Sequence, residues 1–298
     1  MGKRTDLAME ERELWEESAE NTTQLRGVVA KDSVKKGIKM TSVEILNAEG
    51  AEALHKPVGV YLTLEITPEH CRQHKEFAAA VELLGKELGT MMKLKQEETV
   101  LVVGLGNSMV TPDAVGPKCL DQLIVTRHLL DASVKGCRSV CALSPGVLGT
   151  TGLESVEIVK GVVEHAKPDR VIVIDALAAR STDRLCTTVQ LASSGIVPGS
   201  GIGNGRSAFN EQTLGVPVYA IGVPTVVEVG TMVEDLLQGA GSAGKKALDQ
   251  LDPKVGGMVI TATDIDAQVQ RIAKVIAYGV NLALQEGLDL EDVAYFVE

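Results

Sequence analysis

The spacing of hydrophobic positions changes several times along the chain. Residues 6–20 (DLAMEERELWEESAE) bring Leu7, Leu14 and Trp15 onto or near one face of a charged stretch, which predicts an amphipathic helix. From 27 to 66 the spacing changes to short alternating segments, IKMTSVEIL and VGVYLTLEI, separated by glycine and proline, the pattern of antiparallel strands. Residues 69–95 return to helical period. A clear series follows: strand 99–103 (TVLVV), a helix over about 115–130, strand 138–143, helix 152–166, strand 170–174 (RVIVI) and strand 217–222. The last long helix spans Thr263 to Gln285, opened by Thr263 or Asp264, and a short acidic helix ends the chain. Strands alternating with helices imply right-handed crossovers. The predicted fold is α/β: a doubly wound, mostly parallel sheet flanked by helices, with 27–66 as an N-terminal antiparallel β elaboration. Residues 193–207 read as a glycine-rich loop and 238–256 as a surface linker. No repeat or boundary divides the rest.

Composition narrows the function. With 29 Lys and Arg against 40 Asp and Glu, the net charge is −11, which argues against direct nucleic-acid binding, because that affinity comes from clustered cations. Aromatics are 3%, so aliphatic side chains must fill the core. No apolar run approaches the roughly 18–20 residues that span a bilayer, and the N-terminus lacks an apolar signal region, so no membrane association and a cytoplasmic location are expected. Cys71, Cys119, Cys137, Cys141 and Cys186 show no CxxC spacing and read as core thiols. His70 and His74 have helical spacing without HExxH and read as a solvated face. Neither a metal nor a cofactor is expected.

In open α/β sheets the ligand crevice lies beyond the carboxyl ends of the strands. After VLVV comes the loop Gly104 to Gly116; Met109 stands where a dinucleotide fingerprint needs its third glycine, and no phosphate-loop lysine follows. What remains is Asp113, read either as a helix cap, a role Thr111 could share, or as chemistry. Asp175 directly follows RVIVI. Two carboxylates on one sheet edge can share a proton and provide general base and general acid together. Arg180 either orients a carboxylate or forms a surface ion pair. The stretch Gly199 to Arg206 resembles a phosphate loop only loosely and reads as a substrate-binding lip or subunit contact. There is no GxSxG elbow and no DTG or DSG signature.

The runs LVVGLGN, TPDAVGP, LIVTRHLL, SPGVLGTTGLES, VIVIDALAAR, SSGIVPGSGIGN and TLGVPVYAIGVPTVVE resemble the germination proteases of spore-forming bacteria. The resemblance covers most of the chain. It implies an atypical aspartic endopeptidase on a hydrogenase-maturation-protease-like fold, with Asp113 and Asp175 as the catalytic pair. It further implies a homotetrameric zymogen of the forespore and spore core whose substrates are small acid-soluble spore proteins. Asn107, Arg180, Ser200 and Gly201 are the substrate-binding candidates. The segment Arg4 to Glu10 resembles the family's processing site, so residues 1–6 are expected to be a short propeptide, cut between Asp6 and Leu7, and 7–298 the single peptidase domain. An N-terminal segment with little burial is expected to enter the groove freely, and acidification to favour the cut. Two alternatives stand beside this reading: a nickel-sensing maturation-type protease, and a non-catalytic module binding an anion at Gly199 to Arg206.

Overall fold

The computed structural model describes residues 3–18, 25–132, 137–203, 205–237 and 240–297. Nine strands among these residues form one sheet: β1 (Val28–Lys35), β2 (Ile38–Ile45), β3 (Gly59–Glu65), β4 (Val100–Gly104), β5 (Val140–Leu143), β6 (Arg170–Ala179), β7 (Thr188–Ala192), β8 (Val218–Glu228) and β9 (Val259–Ile260). Their order is β1-β2-β3-β7-β8-β6-β4-β5, and β9 pairs with the end of β8. β5, β4, β6 and β8 are parallel. β7 then reverses direction, and β3, β2 and β1 continue the same sheet antiparallel. The N-terminal strands are thus no separate layer but the far half of a mixed sheet.

Helices cover both faces of the parallel half, which is why its strands are continuous apolar runs. Val100, Val102, Ile172 and Ile174 pack with residues of the helices His74–Met92 and Ile265–Leu284. Leu101, Val103, Val171 and Val173 point the other way, onto Val156, Val159 and Val163 of the helix Ser155–Ala166. Each such side chain contributes about 1.5–3 kcal/mol when fully buried. The edge strand β1 alternates half-buried and exposed positions and carries Lys31 and Lys35, charges that discourage pairing with another sheet.

Several elements differ from the sequence reading. The helix expected over 115–130 stops at Leu120, because the buried side chain of Asn281 accepts the Ile124 N–H and donates to the Gln122 carbonyl, satisfying the backbone without a helix. The expected linker is largely helical, over Gly241–Asp249 and Pro253–Gly256, the second capped by Asp252; residues 238 and 239 lie outside the described residues. β7 went unread because TVQLA is short. His70 is a cap rather than a solvated side chain, its Nδ1 accepting the Thr67 N–H. β6 runs on to Ala179, so Asp175 is mid-strand rather than in a loop.

Candidate active site

The glycines of GLGN build a corner. At Gly104 the end of β4 lies directly on the helix Val115–Leu120, where a Cβ would stand 2.6 Å from the Gly116 carbonyl carbon. Gly106 has φ +109°, and a Cβ there would strike the Asp113 carbonyl and come 3.0 Å from its Oδ1. Close backbone packing, not phosphate binding, is what these glycines provide. The loop folds back and sets Asp113 over the end of β4, with Oδ2 accepting the Asn107 N–H at 2.8 Å. Neither Asp113 nor Thr111 caps the following helix; the Thr111 hydroxyl donates to Asp266 instead. Burial raises the half-buried Asp113 carboxyl above its ordinary range, and the Asn107 N–H and the charge of Arg206 partly offset this.

Asp175 is 5% exposed. Its Oδ1 accepts the Ala176 N–H at 2.9 Å. Burial pushes this carboxyl well above the usual range, and the negative charges of Asp113 and then Asp6 push it further. The charge of Asp113 thus reaches the Asp175 carboxyl. Sheet register adds a third residue. Asp175 pairs with Gly222 of β8, and Gly222 pairs with Gln190 of β7. Paired residues point to the same face, so Asp175 and Gln190 flank a bare glycine, about 10 Å apart at two strand spacings. A cleft of ≈ 1260 Å³ opens at the Gly222 and Gln190 end of this row, lined also by Asp6, Leu177 and Ser200 among others, while neither Asp175 nor Asp113 is among its lining residues.

The N-terminal segment forms one wall of the cleft and is seated against β6 and β7. The expectation of an unburied leader is overturned: Thr5, Asp6, Leu7, Ala8, Met9 and Glu10 are all buried. Asp6 donates its N–H to the Ala178 carbonyl and accepts the Ala178 N–H at Oδ2, both at 2.9 Å. Its Oδ1 accepts the Ser200 hydroxyl at 2.5 Å. Gln190 Oε1 accepts the Ala8 N–H at 2.8 Å while its Nε2 donates to the Asp6 carbonyl at 3.1 Å. Leu7 packs with Leu177, Ala179, Leu185 and Val227. Ala8 sits with Tyr61, Ala192 and Ala220. Glu10 accepts the backbone N–H groups of Arg180 at 2.7 Å and Ser181 at 3.2 Å, bonds the Thr5 hydroxyl and pairs with Arg184 at 3.4 Å.

The remaining candidates are placed unevenly. Asn107 acts on Asp113 through its backbone, while its side chain accepts the Met109 N–H. Ser200 and Gly201 meet Asp6, so the anion that this glycine-rich stretch contacts is a carboxylate of the same chain; Asn204 lies outside the described residues. The Arg180 guanidinium is turned away, with Nε bonded to both carboxylate oxygens of Asp235 and Nη2 to Glu17. Gln190 and Arg184 were missed by the sequence reading. Their signal was weak: one amide inside the apolar strand TVQLA, and a charge that resembles any other near the surface.

The germination protease family model matches residues 4–240. The chain belongs to the germination protease family. It is 42% identical to the germination protease of Clostridium perfringens (strain 13 / Type A), over 99% of this chain and 98% of that one. It is also 42% identical to that of Caldanaerobacter subterraneus subsp. tengcongensis, over 97% and 96%. For the germination protease of Priestia megaterium, identity is 43% over 78% of this chain and 66% of that one. Among solved structures, the [NiFe] hydrogenase maturation protease HycI from Thermococcus kodakarensis KOD1 aligns with TM-score 0.36 and 18% identity, over 65% of this chain and 98% of that one, too loosely to carry an argument. As a germination protease, the chain is a peptidase. No helix among its described residues is long and apolar enough to cross a membrane.

Proposed function

We propose that this germination protease is an aspartic endopeptidase made as a self-processing zymogen, with residues 1–6 as leader, 7–298 as the peptidase domain, and Asp113 and Asp175 as its dyad. The observation that carries the reading is the seating of Asp6 to Glu10 on β6 and β7, with the Asp6 charge reaching Asp175 and with acid, apolar residue, alanine and second acid each in its own subsite. Asp175, the more deeply buried carboxyl, keeps the shared proton, and Asp113 stays ionised against the Asn107 N–H. A water between them gives its proton to Asp113 as its oxygen bonds the peptide carbonyl carbon. Asp175 passes its proton to the substrate, the C–N bond breaks, and the amine leaves protonated.

The same groove serves other chains. Small acid-soluble spore proteins presenting that order of side chains are the proposed substrates, in the forespore and spore core. Assembly is proposed to be homotetrameric, for which the exposed Tyr295 and Phe296 of the last helix offer apolar surface. The test is to hold the whole chain at mildly acidic pH and read the new N-terminus by mass spectrometry. A start at Leu7 is expected, abolished in Asp113→Asn and in Asp175→Asn while circular dichroism stays unchanged. Normal processing by either variant would overturn the dyad.

A further inference from the structure

The residue that touches the bond proposed for cleavage most directly is neither aspartate. Gln190 donates from Nε2 to the carbonyl oxygen of Asp6, the carbonyl of the Asp6–Leu7 peptide, and accepts from the N–H of Ala8 one residue beyond it. The orientation of the amide is fixed by chemistry: the Ala8 N–H is a donor, so the oxygen of Gln190 must face it and the NH₂ must face the carbonyl. A buried glutamine in an apolar strand is unfavourable unless both ends are bonded. Here both are bonded, and both partners belong to the N-terminal segment seated on β7. The row Gln190, Gly222, Asp175 leaves only a glycine between the amide and the catalytic carboxyl.

We infer that Gln190 is a catalytic residue of this peptidase, holding the scissile carbonyl and stabilising the negative charge that grows on its oxygen when water adds. The inference rests on the endopeptidase reading. Attack turns a neutral carbonyl into an oxyanion, and a fixed donor bonds that oxyanion more strongly than the ground-state carbonyl. The second bond, to the Ala8 N–H, stops the chain rotating about the peptide as the carbon becomes tetrahedral. No proton leaves Gln190 at any stage.

The intact chain supplies its own test, because the bond is already docked. The rate of appearance of the Leu7 terminus reports chemistry, and hydrogen exchange at Leu7–Glu10 reports docking. Gln190→Glu keeps the acceptor for Ala8 but loses the amide donor; Gln190→Met keeps the length and loses both. Removal of one oxyanion donor lowers turnover about 10²- to 10³-fold in other hydrolases. The expected result is a fall in the processing rate of about 10²-fold in both variants, with exchange protection at Leu7–Glu10 falling at most a few-fold in Gln190→Glu. Unchanged processing would overturn the inference. So would a rate that falls only in proportion to lost protection in both variants, which makes Gln190 a tether. A wild-type chain that never opens the bond although Leu7–Glu10 is protected would overturn the endopeptidase reading, leaving Gln190 a structural clamp.

Discussion

Gly201→Ala should unseat the leader. Gly201 has no positive φ, so alanine suits its backbone, and only the added methyl matters. That Cβ would stand 2.6 Å from Asp6 Cγ and 2.9 Å from Ala178 Cβ, closer than real Cβ contacts allow. Neither neighbour can yield easily: Ala178 is in β6, and Asp6 is fixed by Ser200 and by both backbone groups of Ala178. Moving the carboxylate breaks at least one charge-assisted hydrogen bond, each contributing about 1.5–3 kcal/mol. A loss of about 2–4 kcal/mol in docking corresponds to roughly 30- to 900-fold in the opening equilibrium. Amide hydrogen exchange at Leu7–Glu10, followed by mass spectrometry on chains verified as whole, reads that equilibrium directly. Gly205→Ala is the control, since its Cβ would meet nothing nearer than 3.8 Å. If Gly201→Ala protects Leu7–Glu10 as well as wild type does, the Asp6 seat does not hold the segment.

Two further outcomes follow from the burial of titratable groups. Asp175→Asn should raise the melting temperature at neutral pH. Its carboxyl binds a proton more tightly folded than unfolded, so folding is penalised above the raised folded value, and the penalty disappears as pH falls to the unfolded value near 3.9. The gain, about 2–4 °C per kcal/mol, should therefore shrink on acidification when followed by calorimetry; a gain that grows as pH falls would contradict the assignment. Processing should also survive both a chelator and thiol alkylation at pH 8, because burial raises Cys71 to about 11 and Cys186 to about 12. Inhibition reversed by added nickel or zinc would move the case to a metalloprotease.

The parallel half of the sheet was legible because strands buried on both faces leave unbroken apolar runs such as VLVV and RVIVI. Asp113 and Asp175 were singled out as candidates by the rule that sites gather at strand ends, although β6 extends beyond Asp175. The burial of residues 5–10 was not legible. DLAME has the composition of a surface helix, and its burial depends on Gln190, Ser200 and Arg184, residues far away in sequence whose convergence no local pattern records. The short helix after Asp113 was misread for a similar reason: Asn281, distant in sequence, takes over the backbone bonds that local periodicity assigned to a longer helix.

The seat of residues 5–10 also sets an order of events in time. Ala178, Gln190 and Ser200 hold that segment, yet at about 5–20 residues per second they leave the ribosome about 10–40 s after it does. β3 must likewise wait for β7 before the two halves of the sheet can join. Contacts this remote in sequence are slow to form, so residues 5–10 have nowhere to dock until the body around them is complete. Under the proposed self-processing, a bond opened only in that seat is opened only in copies that have finished folding, and loss of residues 1–6 becomes a record that the fold was reached.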